Sequence, residues 1–510
     1  MMKGFKKIVA VTLVAAMATG LGACGNSTGG KTDSTQTSST GKKYDKVVYA
    51  YATFNNIPST DTLKTVEEAI DKITRDKIGV EVELKPIAIS DYSSTVSLSL
   101  QGGDKIDIFE SLGNFNTCIS SDMAYDITKI IDKDAPDTKK LLGSDLVSAC
   151  EKDGKIYGVP TYKPYALTPM VIYKKDMADK LGIDMSQVKS VYDLTAILRK
   201  VKAAYPDMSP LVPVQQGSSG LNLCSTKTDY LTDDYNSPKG VLQGDSTTVT
   251  DYYGTDEFKK LCNLSRTWYN EGLIMKDAAT TTSTATELMS SDNSFCYVAA
   301  YSYPTADTAA SLEAQCGGQK LGAIQIGNSY LDTTSVNAVS WMVSSTSKVP
   351  EAALKFLNLT YSDQDVINSL IYGIKDRDYT MDSNGYVSYP TGKDATSVPY
   401  TSQLSCGTLG NYFLMYPMTG TNKDSLTWEE EQNKSATRSP AMGYTFDSSD
   451  VKSQYTAVSN VIQQYLPGLW CGSVDPNTAI PEFESKLKSA GLDDIIAAKQ
   501  KQLNTWLKNK

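Results

Sequence analysis

The residues best suited to recognition chemistry in this chain are aromatic side chains with a polar edge. Tyr outnumbers Phe 31 to 10, and five Trp are present. Such rings stack on flat apolar faces while a hydroxyl or ring N–H hydrogen-bonds at the rim. Sugar rings present faces of that kind, bordered by hydroxyls. Six candidates stand where strands run into loops: Phe54, Glu110, Tyr162, Tyr165, Tyr301 and Trp341. In open α/β sheets ligands collect outside the carboxyl ends of the strands, which favours these positions over other aromatics. Glu110 follows the apolar run Ile106–Phe109. It suits hydrogen bonds from sugar hydroxyls better than acid catalysis. Trp341, after Val336–Ser340, is the leading stacking platform, with packing inside the fold as the competing expectation. Acidic pairs such as Asp233-Asp234 read as solvated charges.

Several chemistries are excluded. The chain contains no His, so Ser-His-Asp and Cys-His catalysis, His-ligated metals and a His-based pH switch are absent. Carboxylate chemistry of the glycosidase kind survives this filter, although no acid pair with the required separation can be named. There is no phosphate-cradling Gly loop, no GxSxG and no calcium-loop spacing. No cofactor and no metal are expected. The formal net charge is −9, and an acidic surface argues against nucleic acid or anionic lipid as partner. The nine Cys contain no CxxC pair, which disfavours structural zinc. They permit disulfides without revealing a pairing.

The elements that would position these residues begin after an export signal. Lys3, Lys6 and Lys7 precede an apolar run from Ile8 to Ala18, followed by Leu21-Gly22-Ala23-Cys24. A positive end, a short apolar run and small residues describe a secretory signal peptide over 1–23, too short to remain as a membrane span. The Cys after Leu-Gly-Ala makes it a lipoprotein signal, with diacylglycerol on Cys24 as the anchor. A Gly, Ser and Thr-rich spacer, 24–44, follows. The folded sequence opens with VVYAYA at 47–52, a helix carrying Leu63, Val66, Ile70 and Ile73 on one face, and an alternating strand at 80–84. Strand, helix, strand predicts a parallel sheet. Ile106–Phe109 and Met170–Tyr173 add strands, helical patterns run from about 190 to 290, and an Asn-Gly hairpin is expected at 381–386. Leu492, Ile495, Ile496, Leu503, Trp506 and Leu507 mark a C-terminal amphipathic helix. A chain of 510 residues implies more than one domain.

In this order the features resemble family 1 extracellular solute-binding lipoproteins of carbohydrate ABC transporters. The resemblance rests on the lipid-attachment motif, the spacer, the opening βαβ, GKIYGVP at 154–160, MVIYKKDM at 170–177 and VPEAALKFL at 349–357. GNYFLMYP at 410–417, SPAMGYTFD at 439–447, PGLWCGSVDP at 467–476 and the segment 486–506 are similar to a long Gram-positive subgroup with an extra C-terminal segment. Tyr372-Gly373-Ile374-Lys375-Asp376 departs from that subgroup, with a basic side chain where an acidic one is usual. The resemblance implies an α/β, two-lobed periplasmic-binding-protein-like fold of type II. Each lobe would hold a mixed sheet flanked by helices, with an added helical C-terminal segment. Lobe one would comprise 45–164 and 318–362, and lobe two 165–317 and 363–510, with crossings near Pro164 and Gln319. It also implies a non-enzymatic monomer that closes on a carbohydrate between its lobes and docks on ABC permease subunits. Asn411 and Arg438 join the candidate ligand residues on the C-terminal match alone. A peptide or other non-sugar solute remains the main alternative ligand, ahead of a surface glycosidase or a receptor for sensing or adhesion.

Overall fold

A computed structural model describes residues 43–224, 227–402 and 408–509; the expected signal peptide, Cys24 and nearly all of the spacer lie outside them. The first strand, β1 (Asp45–Thr53), is buried along most of its length, as an apolar run covered on both faces must be. The helix Thr60–Lys77 follows, with Ser59 capping its start by accepting a hydrogen bond from the Thr62 N–H. It buries Val66 and Ile70 against the sheet. Next come β2 (Val80–Ala88), parallel to β1 in register Asp45↔Val80, and β3 (Ile108–Glu110), parallel to β1 on its other side. The strand Ser340–Val343 returns antiparallel beside β3, and Val159–Pro160 closes the far edge. This is a mixed five-stranded sheet.

A second sheet is three-stranded and antiparallel. Thr168–Lys174 runs between Cys296–Tyr301 and Leu321–Gln325. The buried apolar residues separate along the same lines. One set includes Val47, Tyr49, Ile108, Trp341, Phe356 and Val366; another includes Val171, Leu198, Phe258, Trp268, Ile462 and Leu503. These are the cores of the two lobes, here lobe one and lobe two. Among the described residues the chain passes from one core to the other between Ala166 and Val171, between Ile326 and Leu331, and between Ala436 and Tyr444. Where the second and third passages meet, Tyr330 and Leu331 pair parallel with Thr437 and Arg438.

The lobe boundaries differ from the expected ones in two places. The second passage lies after residue 325, not near Gln319, because Leu321–Gln325 pairs with Thr168–Lys174 in lobe two. Residues 363 to about 436 belong with lobe one. The helix Gln364–Tyr372 buries Val366, Ile367, Leu370 and Ile371 in the same core as the preceding helix Pro350–Ser362, and Val387, Tyr400 and Leu409 join them. Only the segment from about Ala441 onward returns to lobe two, through the helices Lys452–Trp470, Pro476–Ser489 and Leu492–Asn509.

The expected run of helix over 190–290 is also interrupted. Between the helices Leu194–Ala204 and Asp256–Asn270 the chain forms a 3-10 turn and two-residue strands. Pro206, Pro210, Pro213, Gly217, Gly220, Pro238, Gly240 and Gly244 fall in this stretch, and Pro and Gly at that density cannot sustain helix. The hairpin at 381–386 is present, pairing Thr380–Met381 with Val387–Ser388 around Gly385 at φ 83°. Seven cysteines, Cys118, Cys150, Cys224, Cys262, Cys296, Cys316 and Cys471, are free thiols, all but Cys224 buried. Among the described residues no helix is long and apolar enough to cross a membrane, and no group of side chains could hold a metal ion.

Candidate functional site

A cleft of ≈ 680 Å³ opens between the lobes beside the first two passages, where Lys163, Pro164, Gly327 and Asn328 form its floor. Lobe one supplies Asp332, Thr334, Ser335 and Ala338 from the short helix Thr333–Asn337 and its flanks. Asp332 caps that helix, its Oδ1 accepting from the Ser335 N–H at 2.8 Å. Ala338 lies at the carboxyl edge of the five-stranded sheet, its carbonyl accepting from the Gly113 N–H at 2.7 Å. Lobe two supplies Gln215, Ser218, Asn222, Tyr230, Asp234, Tyr235 and Ala300.

Local chemistry fixes the lobe-two wall. The turn at 215–220 closes with the Ser218 N–H donating to the Gln215 carbonyl at 3.0 Å. Ser218 Oγ donates to Asn222 Oδ1 at 2.9 Å, and Asn222 Nδ2 donates to Asn236 Oδ1 at 3.3 Å. Gly220 sits at φ 84°, and a Cβ there would stand 2.2 Å from the Val298 carbonyl oxygen. Only glycine lets the turn lie this close to the strand Cys296–Tyr301. Tyr235 is an exposed aromatic on this wall, and Leu167 is an exposed apolar side chain beside the floor.

Buried carboxyls lie next to the cleft. Asp229 accepts from the Leu231 N–H at 2.7 Å and from Ser439 Oγ. Burial pushes its carboxyl up to about 7, with the nearby Asp332 carboxylate adding to the rise. Burial likewise raises Asp332, and its bonds from Ser335 oppose this. At another junction of the lobes, Glu429 of the helix Asp424–Ser435 is only 1% exposed and accepts from Ser302 Oγ at 2.7 Å. Burial pushes Glu429 up to about 7, with the Ser302 hydrogen bond opposing it.

Of the residues picked out by sequence, Tyr165 lines this cleft. It is otherwise buried, its N–H donating to Asn433 Oδ1 at 2.8 Å. Phe54 is exposed just past the carboxyl end of β1. Tyr301 is half-buried, its hydroxyl 2.7 Å from that of Tyr297. Tyr162 is buried in lobe one, its hydroxyl donating to Glu430 at 2.9 Å and its ring edge-on to Phe413. Asn411 is buried as well, donating to the Tyr361 carbonyl at 3.2 Å. Arg438 donates to the Ala436 carbonyl at 3.3 Å in the third passage.

Trp341 and Glu110 lie inside lobe one. Trp341 does not follow a strand; it is within Ser340–Val343, flanked by Glu110 and Val159. It is 0% exposed, stacked on Tyr49 at 4.5 Å, with Nε1 donating to the Thr408 carbonyl at 3.0 Å. Its indole is packing for the lobe. Glu110 Oε1 accepts from the Ala52 N–H at 3.1 Å, while Oε2 has no partner among the described residues. Burial holds this carboxyl well above the usual range, with the hydrogen bond from the Ala52 N–H opposing the rise. The reading as solvated charges holds for Asp234, which is exposed, but not for Asp233. Asp233 is buried and ion-paired, and Asp234 faces the cleft.

Residues 68–371, more than half of the chain, match the family of bacterial extracellular solute-binding proteins. The chain belongs to that family. Residues 440–508 of this solute-binding protein match a domain of unknown function. Over its whole length it is 27% identical to a protein of Streptococcus pneumoniae serotype 4 named as a carbohydrate ABC transporter substrate-binding protein, also covered completely. Among solved structures it is similar to the N-glycan transport solute-binding protein NgtS of Streptococcus pneumoniae. That likeness has a TM-score of 0.75 at 25% identity and covers 91% of this chain and 99% of NgtS. A solute-binding protein of Bifidobacterium longum infantis, titled as binding HMO, shares the fold with a TM-score of 0.66 at 18% identity, over 91% of this chain and 99% of the other.

Proposed function

We propose that this solute-binding protein captures an oligosaccharide in the cleft between its lobes and delivers it to the permease subunits of an ABC transporter. It would work as a monomer on the outer face of the cell membrane, held there by diacylglycerol on Cys24. The observation that carries the reading is the make-up of the cleft. Amide, hydroxyl and carboxyl groups from both lobes converge on it, with Tyr235 and Leu167 exposed beside them. Dense hydrogen-bonding groups interleaved with an aromatic face suit a hydroxylated ring better than an apolar ligand. A ligand that touches both walls would favour closure, since only differential contact shifts such an equilibrium. The names of the related proteins support the same class. NgtS has been crystallised with Man1GlcNAc and with Man5GlcNAc, which makes these the first probes.

The test is a thermal-shift and calorimetric screen of the purified protein against Man1GlcNAc, Man5GlcNAc, a panel of other oligosaccharides and a set of short peptides. A sugar present at about 100 times its Kd stabilises the native state by about 2.7 kcal/mol, a shift of a few degrees. Stabilisation by a sugar supports the reading and names the ligand. A response to peptides alone overturns it in favour of a non-sugar solute.

A further inference from the structure

The first half of the segment 228–241 lines part of the lobe-two wall of the cleft, and it is unusual in its backbone. Leu231 and Thr232 are consecutive residues at φ 51° and 68°. Bulky and β-branched side chains rarely occupy the left-handed region, and strain of this kind persists only where the surroundings over-determine it. They sit between Tyr230 and Asp233, both of which line the cleft, and two residues before Asp234-Tyr235. What over-determines them comes from the far end of the chain. Lys499, on the helix Leu492–Asn509, is 0% exposed and drives its ammonium into the segment. Its Nζ donates to Asp233 Oδ2 at 2.7 Å, the Gly240 carbonyl at 3.1 Å and the Tyr230 carbonyl at 3.3 Å. All three ammonium protons therefore have acceptors on one loop.

Other groups of the same C-terminal segment grip the loop independently. Tyr455 Oη donates to Asp233 Oδ1 at 2.6 Å. The Phe446 N–H donates to Thr232 Oγ1 at 3.2 Å, beside the strained pair. Tyr444 Oη donates to the carbonyl of Lys499 at 3.2 Å, tying the helix to the incoming chain. Phe446, Tyr455 and Lys499 all fall within 440–508, the stretch that matches a domain of unknown function. Lys499 itself lines no part of the cleft, whereas Asp233 belongs both to its wall and to the ion pair.

We propose that the C-terminal segment 440–508 is a brace for the ligand-binding cleft, in which Lys499 is a positioning residue that holds 228–241 in its strained form and so presents Asp234 and Tyr235 to the ligand. The proposal rests on the reading of the cleft as an oligosaccharide site. A buried pair with every proton satisfied fixes one geometry, and removing one partner leaves the other charge buried alone. The brace thus acts on recognition through the loop rather than through contact with the sugar, and it lets lobe two carry a shaped wall on a segment without helix or sheet of its own length.

The experiment is hydrogen exchange, read by mass spectrometry, on wild type, Lys499→Met and Tyr455→Phe, with Man1GlcNAc and Man5GlcNAc affinities measured in parallel. In Lys499→Met the amides of 228–241 should exchange roughly tenfold faster, while the helix Asp256–Asn270 and the lobe-one strands keep their protection. Affinity for whichever of the two sugars binds the wild type should fall about tenfold. Tyr455→Phe, which loses one hydroxyl and keeps the ring, should show the same pattern more weakly; it carries the test if Lys499→Met does not fold. Unchanged exchange in 228–241 overturns the brace. Faster exchange there with unchanged affinity overturns its link to recognition, and a rise spread across all of lobe two makes Lys499 merely structural. If the wild type binds neither sugar, the oligosaccharide reading fails for those two probes and the link to recognition falls with it, while exchange still decides the brace.

Discussion

The two walls of the cleft are built by opposite strategies. Lobe one brings a short capped helix and a sheet edge whose strands pack directly over the core; Trp341, Tyr49 and Phe356 lie beneath it as one aromatic cluster. Lobe two brings turns and a strained loop, shaped from behind by residues more than 200 positions later. The first wall is rigid because of what its own strands bury. The second is rigid because other parts of the chain hold it. A wall of the first kind tolerates little change anywhere beneath it, and one of the second kind can vary at its surface without disturbing its support.

The sharpest way to break this contrast is Trp341→Ala. Loss of a fully buried indole, with the Thr408 carbonyl left without its donor, should cost about 3–5 kcal/mol, measured by denaturant unfolding. A small loss in stability with a large loss of sugar affinity would move Trp341 from the core to the site. Gly220→Ala probes the other wall. The added Cβ meets the Val298 carbonyl at 2.2 Å and φ is 84°, so about 2–3 kcal/mol of stability should be lost, with the turn at 215–220 displaced from the cleft.

Glu429 tests the junction of the lobes. Its carboxyl is raised to about 7 by burial, above the ordinary 4.5 of an unfolded chain. The folded state therefore holds this proton more tightly, and the associated stability is present below about pH 4.5 and lost as pH rises through 7. From pH 5 to 8 the wild type should lose on the order of 2 kcal/mol through this group. Glu429→Gln should remove that part of the slope, leaving the part due to Asp229, which is raised to about 7 as well. An identical slope in the variant would show that Glu429 is ionised in the folded protein. The smallest effect on stability belongs to Tyr235→Ala. It is exposed, so unfolding should change by less than about 0.5 kcal/mol, while affinity for Man1GlcNAc or Man5GlcNAc drops about tenfold if the ring stacks on a sugar.

The same contrast explains what could be read in the sequence. β1, the helix Thr60–Lys77 and β2 were legible because apolar spacing records burial locally. The aromatics named from that reading were well placed along the chain yet mostly packed inside, since a strand end that meets a second lobe is covered. Trp341 illustrates this: one residue of strand register separates an open face from the core. The lobe-two wall was not legible. Asn222, Asp234 and Tyr235 sit in a stretch without periodicity, where the only signal was the cluster Asp233-Asp234-Tyr235-Asn236-Ser237-Pro238, which marks a loop but not what the loop faces. The partner of Asp233 could not be inferred either, because a pairing across 266 positions leaves no trace in spacing. The family resemblance carried the two-lobed fold, but the boundary at 363 failed because Val366, Ile367, Leu370 and Ile371 continue the core of the preceding helix.

The seven free thiols have a consequence for how such a protein comes into being. Burial makes those of Cys150, Cys262, Cys296 and Cys471 poor thiolates, and it is the thiolate that reacts. Among the described residues no cross-link supports either lobe core, and dithiothreitol should leave the melting temperature where it is. Many small exported domains depend on cross-links; among the described residues of this protein, packing does that work instead.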